Sequence, residues 1–412
     1  MNYTQSISYL NGFTKSGKPV TDLSRFKALM AELDNPQNNT KYIHIAGTNG
    51  KGSVSEYIAL ALEYGGFKTG KFTSPYINKV EERIQLNSRL ISEEDFALYL
   101  SKVKFAAEKT GCPDYSQFEI LNAAAFLYYA EKNCDYGVLE AGIGGLLDCS
   151  NIVSPVLSVI TTVDLDHCGI LGDTAEKIAF HKAGIIKKNT PSVTSPLQRE
   201  EVIRVLSQKA REVNSALVIP RNNDLKIIST GLEGTEFTYK GKPFKTKMCG
   251  GHQGINGTAA IEALRILNIG EAEIEKALLN AAVPARMERI ASWLIDGAHN
   301  PSGAAAAASL LKSADPCSKT LVTGMLVTKD WQSSLKLLAP CFDHVIAVDF
   351  FSGQAVPKEE IAEFVKAMGK PCITADSLRD AMAKAYMTDD EMKVVCGSLY
   401  LCGEIRKEIM LS

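Results

Sequence analysis

The seven residues Gly47, Thr48, Asn49, Gly50, Lys51, Gly52 and Ser53 form the stretch of the chain best suited to hold a polyphosphate. Glycines let successive backbone N–H groups turn toward anionic oxygens, a lysine supplies full charge for the terminal phosphates, and a hydroxyl can reach Mg²⁺. The strict G-x-x-x-x-G-K-[ST] pattern is not met, because Ile45 occupies the first glycine place and Gly52 follows Lys51. A variant phosphate loop is required. The loop lysine, and the lack of a G-x-G-x-x-G run, point to ATP rather than a dinucleotide.

The flanking elements give the loop its setting. Residues 42–46 (YIHIA) are β-compatible, and 54–64 carry apolar residues at helical spacing. The loop therefore joins a strand to a helix N-terminus, whose dipole adds positive field. Further β-rich runs at 136–140 and 156–163, with a helical pattern at 120–130 before them, predict a mostly parallel sheet covered on both faces. Residues 225–248 alternate apolar and polar and predict a β-hairpin excursion, followed by helices at 254–267 and 272–281. Pro284 closes a first domain, 1–284.

Over 285–412 the alternation restarts. Strands are predicted at 293–296, 320–325, 344–349, 372–374 and 393–396, with helices at 302–313, 332–338, 358–368 and from Leu378. The alanine run 304–308 reads as the packed face of a helix. The expected fold class is α/β: a P-loop ATPase domain with a mostly parallel sheet, plus a smaller Rossmann-like C-terminal domain. At roughly 150 residues per domain, 412 residues suit this division.

Composition narrows the partners. Lys plus Arg at 45 against Asp plus Glu at 47 gives a formal charge of -2, so no net cationic attraction to nucleic acid or anionic membrane exists. No apolar run reaches the roughly 18 residues of a membrane span, and the N-terminal residues lack a secretory pattern. The ten cysteines show no C-x-x-C spacing and read as reduced thiols of a cytoplasmic protein.

GTNGKGS at 47–53 resembles the phosphate loop of the Mur ligase superfamily, and its full form is similar to that of the folylpolyglutamate synthase and dihydrofolate synthase family. Further matches follow in order: Phe72 to Pro75 (FTSP), SQFEILNAAAF around Phe118 and Glu119, LEAGIGGLLDCSN at 139–151, and DHCGILGDTAEKIAFHKAGIIK at 166–187. Later come His252, Gln253 and Asn256, then Arg286 with Glu288, DGAHNP at 296–301 and CGSLY at 396–400. The resemblance runs through nearly the whole chain. Murein peptide ligases carry a nucleotide-sugar domain of about a hundred residues before the loop, a typical domain size, whereas 46 residues precede Gly47, so no such domain is expected.

The resemblance implies an ATP-dependent ligase that joins L-glutamate to the carboxylate of tetrahydrofolate, with dihydropteroate as a possible second acceptor. The γ-phosphoryl group passes to the carboxylate, and the glutamate amine attacks the resulting acyl phosphate. Lys51, Lys182 and His299 take the catalytic positions, and Gly47 to Ser53 with Asn256, Arg286 and Asp296 hold ATP. Ser74, Glu140 and His167 match the metal positions for Mg²⁺, each at the end of a predicted strand. Lys182 matches a lysine that the family converts to a carbamate, an anionic oxygen ligand for a second Mg²⁺.

Taken singly, Ser74 could be a turn residue, Glu140 a helix cap, His167 a hydrogen-bonded loop histidine, Lys182 a solvated lysine and His299 a locally bonded one. Their placement where open α/β sheets put ligands favours the functional reading. Phe118 could stack on the pterin or belong to the core, and Leu147, Asp148 and Cys149 are further wall candidates. Domain closure would complete such a split site, and a monomer is expected.

Four positions depart from the family pattern: Leu146 stands in an arginine's place, Gly257 in an alanine's, Ala285 in a glycine's and His181 in a glutamate's. The leucine leaves open a related amide ligase with another carboxylate acceptor. A nucleotide-binding module without transfer chemistry is the remaining alternative, and the joint presence of Lys51, Ser74, Glu140, His167 and Lys182 argues against it.

Overall fold

The computed structural model describes residues 1–14, 21–112, 114–313, 317–350 and 354–411. They form two compact units: Met1–Leu225 with Tyr239–Lys242 and Ile255–Ala281, and Lys226–Thr238 with Pro243–Gly254 and Ala282–Ser412.

The first unit is built on eight strands: β1 (Lys41–Ala46), β2 (Thr69–Phe72), β3 (Ile84–Leu86), β4 (Arg89–Leu90), β5 (Tyr136–Glu140), β6 (Leu157–Ile160), β7 (Ser192–Thr194) and β8 (Leu217–Val218). Their order is β4-β3-β2-β5-β1-β6-β7-β8. From β2 to β8 every pairing is parallel, and β3 and β4 add an antiparallel edge. The chain leaves β1 for β2 and β5 on one side, then crosses to β6 on the other. The sheet therefore opens a crevice at the carboxyl end of β1, where such folds bind ligands.

Burial on both faces explains the apolar strands. On one face, the helices Glu93–Thr110 and Gln117–Glu131 pack Phe96, Leu100, Phe126 and Tyr129 against Tyr42, Phe72 and Leu139. A Cβ on Gly137 would lie 2.5 Å from the Tyr42 ring, so β5 needs glycine at that point. The other face buries Ile160 against Ile178, Ala179, Ile185, Val202 and Leu206. No described helix is long and apolar enough to cross a membrane.

The excursion expected as a hairpin is instead a three-stranded sheet, ordered β11-β10-β9, of β9 (Leu225–Gly231), β10 (Gly234–Tyr239) and β11 (Lys242–Thr246). Lys240 and Gly241, both at positive φ, turn the chain once more than the sequence reading allowed. In the second unit, β12 (Glu288–Ile290), β13 (Trp293–Asp296), β14 (Lys319–Thr323), β15 (His344–Val348), β16 (Cys372–Ala375) and β17 (Met392–Cys396) form a sheet ordered β12-β13-β17-β14-β15-β16. All its pairings are parallel except the short β12, which the sequence reading lacked. The alanine run lies on the helix Pro301–Ser313, with Ala304, Ala307 and Ala308 buried as expected.

Ala285, just before β12, sits at φ 53 and is fully buried, with its N–H donating to Glu288 Oε2 and its carbonyl accepting from Gly297 N. That left-handed conformation accounts for the family's glycine there. A Cβ in this region costs about 1–2 kcal/mol, and glycine's greater unfolded freedom offsets about 0.5–1 kcal/mol of it. Ala285→Gly is expected to stabilise the protein by about 0.5–1 kcal/mol in urea unfolding; a loss of stability would contradict the strain.

Candidate active site

Strand β1 delivers the loop Gly47–Gly50 to the N-terminus of the helix Lys51–Tyr64. Gly50 caps that helix at φ 88, and a Cβ there would lie 2.2 Å from Asn256 Oδ1. Asn256 is thus held directly against the loop, at a position only glycine fills without strain. The neighbouring strand end braces the rest. Thr48 N and Asn49 N donate to Thr162 O at 2.8 and 3.3 Å, while Thr48 Oγ1 donates to Asp164 O at 2.9 Å and accepts from Asp164 N at 3.0 Å. Ser53 is buried in the first turn of the helix.

Two ammonium groups converge on one carbonyl. Lys51 Nζ donates to Gly47 O at 3.1 Å and to Thr48 O at 3.3 Å, and Lys182 Nζ donates to Gly47 O at 2.8 Å. Lys182 is 4% exposed. Burial first, and the neighbouring Lys51 charge second, push the Lys182 ammonium down to about 7, with Asp166 and Asp148 opposing. A lysine poised there holds a neutral amine in part of its population near neutral pH.

Glu140 closes β5, is 3% exposed and stands 4.0 Å from Lys51 Nζ through Oε1. Its Oε2 accepts from Ser74 N at 3.1 Å, so the structure brings Ser74, Glu140 and Lys51 together at the ends of β2, β5 and β1. His167 lies beyond β6 at φ 52, starts the short helix Cys168–Leu171, and donates its N–H to Asp166 Oδ1 at 2.9 Å. Its ring Nε2 is 3.6 Å from Asp166 Oδ2. Asp166 acts on both His167 and Lys182 and was not singled out from sequence; its position before the histidine was the available signal.

Among the described residues no three His, Cys, Asp or Glu side chains gather as a metal cluster. A buried carboxylate and a serine beside a phosphate loop instead fit a hard cation that takes most of its oxygens from phosphate and water, as Mg²⁺ does.

Phe118 occupies the first turn of the helix Gln117–Glu131, whose capping box of Ser116 and Glu119 is tied to Arg25 by two 2.8 Å bonds. The ring is partly exposed and packs edge-on against Phe72, 5.6 Å between centroids. The Arg83 guanidinium lies 5.7 Å from its centroid and 5.3 Å from that of Tyr76. Phe118 therefore packs into the core with part of its ring left exposed. Leu147 is partly exposed, whereas Cys149 is buried in the core and its thiol is pushed up by desolvation. Asp148 is buried with both oxygens engaged: Oδ2 accepts from Gly142 N and Ile143 N, and Oδ1 from Ser150 N and Ser150 Oγ.

Leu146, in the arginine's place, gives its N–H to His181 O at 2.7 Å and lies against Gly184, where a Cβ would sit 2.5 Å from its own. The side chain seals the loop onto the Lys182 helix, Ala175–Ala183. His181 is held below the usual histidine range by burial and by Lys182.

In the second unit, Asp296 ends β13 and accepts from Ala298 N and Met287 N, both at 2.9 Å. Burial raises its carboxyl, and Arg286 counteracts. His299 Nδ1 is 2.8 Å from Gly297 O.

Lys182 yields a stability prediction. Its amine is protonated below about pH 7 in the fold but up to about pH 10.5 when unfolded, so the unfolded chain binds more protons in that interval and stability rises with pH there. Lys182→Met is expected to exceed the wild type in stability most at pH 6, with the gap narrowing toward pH 10 in denaturant titrations. A gap independent of pH would contradict the burial of a charged amine.

Comparison with known proteins identifies the family. Residues 45–264 match the Mur ligase middle domain, and residues 281–408 match the dihydrofolate synthetase C-terminal domain. The folylpolyglutamate synthase of Lacticaseibacillus casei is 31% identical over 431 residues, covering 100% of this chain and 99% of its own. The dihydrofolate synthase/folylpolyglutamate synthase of Bacillus subtilis is 32% identical, with 99% of each covered. The crystal structure of Mycobacterium tuberculosis folylpolyglutamate synthase complexed with ADP and AMPPCP superposes with a TM-score of 0.88 at 27% identity, covering 99% of this chain and 98% of that one. The chain belongs to the folylpolyglutamate synthase and dihydrofolate synthase family of Mur-type ligases.

Proposed function

We propose that this enzyme is an ATP-dependent ligase that adds L-glutamate to the carboxylate of a reduced folate through an acyl phosphate, releasing ADP and phosphate. The convergence of the Lys51 and Lys182 ammonium groups on Gly47 O, beside buried Glu140, carries the reading. The reaction brings a triphosphate and a carboxylate into contact, and catalysis consists largely of making that assembly of anions tolerable.

In this reading the backbone N–H groups of Gly47–Ser53 hold the phosphates. Lys51 exchanges its carbonyl contacts for phosphate oxygens and neutralises charge as the γ-phosphoryl group moves to the folate carboxylate. Ser74 and Glu140, with His167, would hold Mg²⁺, which when bound supplies positive charge to the phosphate oxygens. Asn256 against the loop is the candidate adenine contact, and the family resemblance assigns Arg286 and Asp296 to ATP and His299 to catalysis. Phe118 and Leu147 offer an apolar wall to the pteridine. The amine of glutamate then attacks the acyl carbon, the amide bond forms, and phosphate leaves with the oxygen it received from the carboxylate.

Lys182 is proposed to react as its neutral amine with CO₂, forming a carbamate that would add an oxygen ligand for a second Mg²⁺. Its depressed ionisation supports this chemistry.

The direct test is ATP-dependent incorporation of labelled glutamate, with tetrahydrofolate and dihydropteroate supplied separately. Incorporation is expected with tetrahydrofolate, and the dihydropteroate arm reports whether both activities reside in one chain. Glu140→Ala is expected to abolish incorporation while the melting profile stays folded; wild-type turnover by this variant would remove Glu140 from the machinery. Lys182→Ala is expected to recover part of its lost activity with added formate or acetate, which replace the missing oxygen. Recovery with small amines instead would refute the carbamate.

A further inference from the structure

His44 lies in the middle of β1, fully buried, and pairs across the sheet with Leu139 of β5 and Ser158 of β6. Its ring makes one hydrogen bond, Nε2 to Ser150 Oγ at 2.9 Å. The single hydroxyl proton of Ser150 is directed to Asp148 Oδ1. Ser150 Oγ must therefore accept from the histidine, which fixes the tautomer as Nε2–H. Nδ1 is left as a bare lone pair, buried with no hydrogen-bond partner among the described residues. An apolar side chain would fill the same space without that cost, so the Nε2 bond is the reason for a histidine here.

From Asp148 the chain of bonds continues outward. Its second oxygen accepts from Gly142 N at 2.9 Å and Ile143 N at 3.1 Å. Gly142 lies so close to Phe118 that a Cβ would come within 2.8 Å of the ring, and Leu146, four residues on, is bonded to His181 O beside Lys182. Asn151 reinforces the second attachment, donating from Nδ2 to Leu146 O at 2.9 Å and Gly184 O at 3.2 Å.

We propose that His44 is a positioning residue of the ligase reaction: through Ser150 and Asp148 it fixes the loop 142–146 between the Phe118 ring and the Lys182 helix. The strand that carries the phosphate loop thereby also sets the wall against which the folate lies. Asp148 links the two parts of this loop, accepting from Gly142 N and Ile143 N on one oxygen and from Ser150 on the other. The inference rests on the ligase reading above.

The test compares Ser150→Ala, Ser150→Thr and His44→Leu with the wild type, measuring melting, ATP-analogue binding, and kcat and KM for tetrahydrofolate. Displacing a wall by a fraction of an ångström to an ångström is expected to lower kcat/KM for the folate by about 10- to 100-fold. Nucleotide affinity should stay within about twofold, and Ser150→Thr, which keeps the hydroxyl, should restore most of the loss. His44→Leu should act in the same direction and decides the matter if Ser150→Ala does not fold. Folate kinetics within about twofold of wild type in a folded variant would overturn the proposal, as would an equal loss of nucleotide binding. A wild-type enzyme inactive on folates would instead overturn the ligase reading and, with it, the positioning role of His44.

Discussion

Two lysine ammonium groups share the carbonyl oxygen of Gly47, and the rest of the site follows from that crowding. Like charges at such proximity, one of them almost wholly buried, are unfavourable unless an anion is brought among them. Glu140 supplies part of the compensation at 4.0 Å, and the backbone carbonyls of Gly47 and Thr48 supply the rest. In the proposed reading the arrangement is a seat for negative oxygens, with its cations held by backbone carbonyls.

Every strand that touches this seat contributes at its carboxyl end. β1 ends in the phosphate loop, β2 leads to Ser74, β5 ends on Glu140, and the extension of β6 braces Thr48 and Asn49 through Thr162 before reaching Asp166 and His167. The switch of chain direction on either side of β1 opens the space between them. A parallel sheet buried on both faces is a stiff mount for such a constellation, because shifting one strand end requires repacking aromatic contacts such as Tyr42 on Phe126.

Much of this was legible in the sequence because the signals are local. A strand, a glycine-rich turn with lysine and a helix define the phosphate loop wherever they occur together, and the β–α alternation anticipated both sheets. Residues whose role depends on distant partners were not legible. His44 sits in the β-compatible run 42–46 with no local mark of its role, because its hydrogen-bond partner Ser150 lies 106 residues away in the chain. Phe118 could not be divided between core and surface because its ring packs on Phe72 and is still partly exposed. The sequence marks Ala285 only as standing in a glycine's place, and its positive φ gives the reason for that glycine. The extra strand of the 225–246 segment was missed because alternation marks strands but does not count turns.

Where the triphosphate sits decides the role of the loop. A crystal structure with Mg²⁺ and a non-hydrolysable ATP analogue is predicted to show the β- and γ-phosphates on the 47–53 loop, with Lys51 Nζ moved from Gly47 O onto phosphate oxygen. A triphosphate bound elsewhere, with Lys51 still on its carbonyls, would contradict it.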